Sequence, residues 1–221
     1  MKAMILAAGR GERLRPLTDT TPKPLLEVEG RPLIVNHLER LRDAGYTHIL
    51  INTSWLAEKL QSYLGDGARY GVHILYSYEG PEPLETGGGI YKVLPELGRE
   101  PFLVVNGDIL TDFPFENLKH SLKHDDLAHL VMVSNPKHHP EGDFHLTTTG
   151  HLRREGEPKV TYSGIGVYKA DFFKDCRAGK FPLLPLMHAA MAVEALSGEF
   201  YNGRWMDVGT VENLQKHKTH K

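Results

Sequence analysis

The chain has 221 residues, 40% of them hydrophobic, which is enough to bury a sizeable core in one α/β domain. Its 26 Lys+Arg against 28 Asp+Glu leave a formal net charge of -2, so no global basic field recommends nucleic acid as a partner, and local positive charge must carry any anion binding. The one cysteine, Cys176, cannot close an intrachain disulfide, no apolar run reaches bilayer length, and the start MKAMILAAGRGERLR turns to charge too early for a secretory signal, so a soluble cytoplasmic protein without membrane contact is expected.

Residues 3–7 read as a short buried strand that runs directly into the stretch LAAGRGERLRPLTDTTPKPL, residues 6–25, where glycines, three arginines and Lys23 crowd together. Gly9 and Gly11 allow a tight turn that offers backbone N–H groups to an anion, and Arg13, Arg15 and Lys23 add mobile positive charge beside those dipoles. Together they make a triphosphate cradle, although any one of these residues taken alone fits a solvated surface loop. Two better-known phosphate loops are excluded. A Rossmann fingerprint needs a third glycine where Leu14 stands, and Pro16 stops a helix beyond its first turn; a Walker A loop needs its lysine beside the last glycine, whereas here it lies downstream in Pro22-Lys23-Pro24. Prolines on both sides of Lys23 predict an extended, stiff backbone that holds the ammonium in one place.

Leu33, Ile34, His37, Leu38 and Leu41 then recur at helical spacing up to Gly45. A strand at 48–51, a helix at 55–64 and a strand at 72–78 complete a β-α-β-α-β alternation, which implies a largely parallel sheet covered by helices, with ligands beyond the carboxyl ends of the strands. The turn-rich stretch 78–89 opens a helix carrying Ile90, Val93, Leu94 and Leu97. Gly87, Gly88 and Gly89 at its start would let a flat base or sugar lie on the backbone, with Glu79 or Glu85 accepting from a base N–H; the competing reading is a flexible helix entry. A buried strand at 102–105 ends in Asn106-Gly107-Asp108. Asp108, just past a central strand, is placed to hold Mg²⁺, an ion that takes only one or two carboxylates and fills its shell with water and phosphate oxygens. A turn aspartate is the alternative.

A short helix at 115–122 and a strand at 128–133 lead to the polar loop 135–143 and a hairpin through 145–152, an excursion able to cover a ligand. His138 and His139, being adjacent, suit no metal pair on one helix or strand face and read as solvated. The strand 160–168 carries Gly164 and Gly166, against which a sugar ring or a neighbouring backbone would lie. Helices from Phe172 and at 183–191, an extended stretch at 194–201 and a helix at 210–217 follow, and the KHKTHK tail is expected to fray. Asp207, within Trp205-Met206-Asp207-Val208-Gly209-Thr210, is a second acid at a strand end and would join Asp108 around Mg²⁺.

These residues resemble the sugar-phosphate nucleotidyltransferases. That family's loop pattern G-x-G-x-R-[LM]-x-P-L-[ST] followed by P-K-P is matched at 9–18 and 22–24, and Asn106-Gly107-Asp108 and the 205–210 motif follow in the family's order along nearly the whole chain. The resemblance implies a single-domain, Rossmann-like three-layer α/β/α nucleotidyltransferase fold with a mixed, mostly parallel central sheet, residues 1–110 forming a nucleotide-binding half and 111–221 a sugar-phosphate-binding half. It implies that an oxygen of a sugar 1-phosphate attacks the α-phosphorus of UTP and releases pyrophosphate. A phosphate monoester is already anionic, so the work is positioning and charge neutralisation, with no general base. The same resemblance gives Gly9, Gly11, Glu12 and Arg13 to the UTP phosphates, Arg13 favouring pyrophosphate departure, and Lys23 to the phosphates of both substrates. Asp108 and Asp207 would hold Mg²⁺, Glu79, Leu84 and Gly87 would face the base, and Asn106, Asp143, Ser163 and Gly164 would face the sugar. Within the family, the short chain without an appended β-helix domain and the stretches PLETGGG, HHPEGDF and TYSGIGVY resemble the branch acting on N-acetylmuramate 1-phosphate in peptidoglycan recycling. A mannose 1-phosphate guanylyltransferase and a non-catalytic relative that binds nucleotide sugars stay open beside it.

Overall fold

The structure, a computed structural model, describes residues 1–216; the tail expected to fray lies beyond them from 217 onward. In chain order the first half supplies β1 (Ala3–Leu6), α1 (Leu17–Thr20), β2 (Glu27–Val28), β3 (Arg31–Pro32), α2 (Leu33–Asp43), β4 (His48–Thr53), α3 (Ala57–Leu64), β5 (His73–Tyr78), α4 (Glu85–Lys92), α5 (Leu94–Leu97), β6 (Phe102–Asn106) and β7 (Ile109–Thr111). The second half adds β8 (Ala128–Val133), β9 (Phe144–Leu146), β10 (Leu152–Arg153), β11 (Lys159–Tyr168), α6 (Leu184–Ala192), β12 (Leu196–Phe200), β13 (Trp205–Asp207) and α7 (Val211–Lys216).

Nine strands form one mixed sheet. Its parallel centre runs β5-β4-β1-β6, and β11 then pairs antiparallel with β6 and carries β8 with β12, and β9 with β10, beyond it. β1 is apolar throughout because it is central and covered on both faces. The two-residue pleat sorts its side chains. Ala3 and Ile5 point to one face with Ile51 and Val105, under Ile34, Leu38 and Leu41 of α2 and Leu60 and Leu64 of α3. Met4 points to the other with Leu50 and Val104, under Ile90 of α4, Leu97 of α5 and Met187 and Met191 of α6. Each fully buried Leu, Ile or Met there contributes about 1.5–3 kcal/mol, so the three layers are held mainly by these two cores. A third, smaller cluster joins Leu14, Leu26, Val28, Leu33, Leu110, Val208 and Leu214, and it clamps the loop after β1 onto β7 and the segment after β13.

The predicted helices differ from the observed ones mainly where proline or short reach intervenes. The helix expected to run from the glycines to Leu97 is divided into α4 and α5, because Pro95 in the first turn of α5 has no N–H to continue the ladder. The helix expected at 115–122 is a 3-10 segment, Phe115–His120, and the one expected from Phe172 is a single 3-10 turn, Ala170–Phe173.

His37, on the α2 face turned to the core, is buried and its Nε2 has no hydrogen-bond partner. Burial pushes its imidazole down to about 4 from the ordinary 6.5, against an opposing pull from the Asp108 carboxylate. Between those two values the unfolded chain binds the proton and the native chain does not. Native stability conferred by neutral His37 is therefore complete above about 6.5 and is lost as pH falls toward 4, at about 1.4 kcal/mol per pH unit. Denaturant midpoints measured at pH 7 and pH 5 should fall more steeply for the native chain than for His37→Leu; equal slopes would refute the assignment.

Candidate active site

The chain leaves β1 at the carboxyl edge of the sheet, and a relay of side chains fixes its path. The Ala7 N–H donates to Asn52 Oδ1 at 2.7 Å, Asn52 Nδ2 donates to Glu79 Oε1 at 2.7 Å, and the Leu84 N–H donates to Glu79 Oε2 at 2.7 Å. Three neighbouring strand ends are thereby tied together by groups that are buried or nearly so. The next turn needs glycine. Gly11 has φ +67, a Cβ there would lie 2.8 Å from the Thr18 methyl, and its carbonyl accepts from both the Leu14 N–H and the Thr18 hydroxyl at 2.8 Å. Gly9 instead faces open space, so a ligand can approach its backbone.

This loop and the end of β6 enclose a cavity of about 390 Å³, lined by Gly9, Gly11, Glu12, Arg13, Lys23, Asn106 and Asp108 together with Thr86 and Gly209. Seven residues expected to act on phosphates, metal or sugar thus share one lining. Lys23 Nζ donates to Asp108 Oδ2 at 2.6 Å, and the lysine side chain is only 11% exposed. Its backbone is not extended as expected: Pro22 is, but Lys23–Leu25 is a 3-10 turn, which brings the ammonium inward. Arg13 reaches Gly209, with Asp207 Oδ2 close by. The other two arginines of the loop do not contribute. Arg15 turns outward to Asp19 at 3.3 Å, and the Arg10 guanidinium donates to the Pro81 carbonyl at 2.7 Å and lies 5.9 Å from the Trp55 ring.

The backbones that carry Asp108 and Asp207 adjoin. β7 and β13 pair antiparallel, with Ile109 opposite Asp207, and the Val208 N–H donates to the Asp108 carbonyl at 2.7 Å. Asp207 also holds Asn213 Nδ2 at 3.0 Å and lies 3.1 Å from His138 Nε2. His138 is an exposed loop residue, as read, and it also neighbours Asp207; a turn bringing 135–143 back over β13 left no mark in the local sequence. Among the described residues no three His, Cys, Asp or Glu side chains cluster as metal ligands. Two carboxylates beside a phosphate cradle nevertheless fit a hard divalent cation that keeps most of its shell in water and phosphate oxygens.

The residues expected at the base and the sugar mostly build walls. Each Glu79 oxygen already accepts one bond, from Asn52 Nδ2 and the Leu84 N–H, so the chain itself holds the carboxylate in place. A Cβ at Gly87 would strike Phe181, one at Gly88 the Gly179 carbonyl and one at Gly89 the Glu79 carboxylate, so the close approach these glycines permit is made by the chain itself. They lie inside α4 and not at its entry. Beside them is a hollow of about 210 Å³ between Gly9, Asn52, Glu79, Pro83, Glu85 and Thr86. Asn52 and Thr86 were not anticipated; a polar residue ending the apolar run of β4 is the signal that would have found the first.

On the sugar side, Asn106 lines the cavity and Gly164, at φ +82, packs against the Asn106 side chain in a bulge of β11. Ser163 is 1% exposed, its hydroxyl accepts the Ile165 N–H at 3.2 Å, and its carbonyl accepts Trp205 Nε1 at 2.9 Å. Asp143 accepts the Tyr162 N–H at 2.8 Å and meets His139 Nε2 at 3.0 Å. Ser163 and Asp143 are thus occupied in holding the bulge and the loop.

Residues 2–161 match the Nucleotidyl transferase family. The chain is 51% identical over 222 residues to an N-acetylmuramate alpha-1-phosphate uridylyltransferase of Neisseria meningitidis, spanning 98% of this chain and 96% of that one. It is 33% identical over 227 residues to a mannose-1-phosphate guanyltransferase beta-A of Xenopus laevis, of which it spans 61%. Among solved structures, a putative glucose-1-phosphate thymidylyltransferase from Bacillus anthracis in complex with a sucrose superposes with a TM-score of 0.83 at 23% identity, covering 98% of this chain and 93% of that one. HddC from Yersinia pseudotuberculosis complexed with GMP-PN gives 0.79 at 21% identity, covering 98% and 97%. These two likenesses establish the fold.

Proposed function

The chain belongs to the nucleotidyl transferase family, and from that premise we propose that it transfers the uridylyl group of UTP to N-acetylmuramate 1-phosphate, giving UDP-N-acetylmuramate and pyrophosphate, as a cytoplasmic step of peptidoglycan recycling. The observation that carries the reaction class is the one cavity that gathers a glycine turn, Arg13, Lys23 and Asp108. The choice of base and sugar rests on the near full-length likeness to the meningococcal enzyme.

In this reading residues 1–110 serve the nucleotide and 111–221 the sugar phosphate. The open backbone at Gly9 and the turn at Gly11 receive the UTP phosphates, and Glu12 contributes through its backbone N–H, since its carboxylate repels an anion. Lys23 holds the attacking oxygen and the α-phosphate together by neutralising both. That oxygen forms a bond to the α-phosphorus as the bond to the β-phosphate oxygen breaks, and Arg13 receives the charge that builds on the departing pyrophosphate. Asp108 and Asp207 would hold Mg²⁺, which supplies charge neutralisation at the α-phosphate. Leu84, Gly87 and Glu79 shape the wall beside the base, and Asn106, with Gly164, Ser163 and Asp143 behind it, positions the sugar.

A panel of UTP, GTP and dTTP against muramate, mannose and glucose 1-phosphates, read by pyrophosphate release, tests this directly. Turnover should be highest for UTP with N-acetylmuramate 1-phosphate and should vanish when the divalent cation is chelated. Preference for GTP with mannose 1-phosphate would replace this reading by the guanylyltransferase one, and binding without pyrophosphate from any pair would leave a non-catalytic protein.

A further inference from the structure

Around Asp207 lie two adjoining hollows of about 250 and 320 Å³, which share Lys137, His138, Asp207 and Asn213 as walls. Trp205 borders the first; Arg13 borders both the second and the phosphate cavity, so only its side chain need stand between them. The charges here are unequally matched. Asp207 is met by His138 and Asn213, whereas Lys137 is exposed and pairs with no carboxylate among the described residues.

The loop presenting Lys137 is nonetheless firmly anchored. Asn135 Nδ2 donates to the Pro140 carbonyl at 2.9 Å and the Lys159 carbonyl at 3.1 Å, and Asn135 Oδ1 accepts the Thr161 hydroxyl at 2.9 Å. Eight residues on, Asp143 ties the loop to the β11 backbone. An unpaired cation on a stapled loop at the rim of a substrate cleft is the arrangement expected of a group that waits for a ligand anion, because the backbone ordering is complete before binding.

We propose that Lys137 is a specificity-determining residue whose ammonium pairs with a carboxylate carried on the sugar ring of the acceptor. This rests on the reading of the acceptor as a muramate phosphate, which differs from the corresponding glucosamine phosphate by an ether-linked carboxylic acid. With its phosphate beside Lys23 and Asp108, the sugar leaves the cradle over Asn106 toward Trp205 and the 135–143 loop. A second anion arriving there meets Asp207 and Glu212 and needs a counter-charge of its own, which Lys137 supplies on a long flexible stem. A neutral sugar has no use for it.

The test is steady-state kinetics of the full chain and Lys137→Met with UTP, Mg²⁺ and two acceptors, N-acetylmuramate 1-phosphate and N-acetylglucosamine 1-phosphate. The substitution should raise KM for the acidic acceptor about tenfold, with kcat changed less than about twofold, and should move the neutral acceptor far less. Lys137→Arg should restore most of the difference, and the effect should shrink at high salt because the pair is near the surface. Equal losses on both acceptors, or none on either, would overturn the proposal while leaving the uridylyltransferase reading intact. A native chain that turns over the neutral acceptor and not the muramate phosphate would overturn both.

Discussion

Lys23→Ala should lower the rate constant of pyrophosphate release by about 10²–10³ at saturating substrates, the size associated with removing one preorganised charge from a site where negative charge develops. The geometry makes Lys23 more than a nearby cation. Its side chain is 11% exposed, its Nζ is held 2.6 Å from Asp108, and its Cβ sits where a side chain at Gly11 would need to be, so the ammonium has little freedom to wander. That ordering is supplied by the fold before substrate arrives. Lys23→Arg should recover only part of the loss, since a planar fork does not fit the space of a compact ammonium. A structural role for the ion pair makes a different forecast. If Lys23 only neutralised Asp108, Lys23→Arg, which keeps a positive charge beside that carboxylate, would regain stability and turnover together. Under the mechanism above it regains stability more fully than turnover, which thermal unfolding and pyrophosphate release on the same samples distinguish. A folded Lys23→Ala protein with near-native turnover would sink the mechanism.

What the sequence made legible follows from how local the determining physics is. The sheet centre could be read because β1, β4 and β6 are short apolar runs separated by helical stripes, and the two faces of β1 differ by one residue in register. The phosphate loop could be read because Gly9, Gly11 and Lys23 act through backbone conformation and charge close to one another in the chain. Roles that depend on what lies opposite were less accessible. Glu79 is held by Asn52 and Leu84, and the Gly87-Gly88-Gly89 run, readable either as open to a ligand or as a flexible helix entry, is packed by Phe181, Gly179 and Glu79. Arg10 and Arg15 looked equivalent to Arg13, yet only Arg13 lines the cavity, because Trp55 and Pro81 engage one and Asp19 the other. His138 belongs to the same class: its proximity to Asp207 spans 69 residues and depends on the stapled loop that Asn135 holds.

Asp207→Asn should shift the divalent-cation dependence with little loss of structure, because it removes charge while keeping a side chain able to bond Asn213. The native chain places Asp207 beside the Asp108 backbone through the β7–β13 pair, with Asn213 Nδ2 at 3.0 Å and His138 Nε2 at 3.1 Å on its oxygens. An amide in that place retains shape and loses the anionic oxygen a hard cation requires. The Mg²⁺ concentration for half-maximal turnover should therefore rise by at least about tenfold, and turnover at saturating Mg²⁺ should stay at least about 10²-fold below native, since the cation bound by Asp108 alone would be less precisely placed. Asp143→Asn is the control. Asp143 is also a carboxylate, but it serves the Tyr162 N–H and His139, so its loss should lower the unfolding midpoint or weaken acceptor binding without changing the Mg²⁺ requirement. Parallel Mg²⁺ titrations of the two variants separate a carboxylate that meets the cation from one that holds a loop, and an unchanged Mg²⁺ requirement in Asp207→Asn would remove Asp207 from the site.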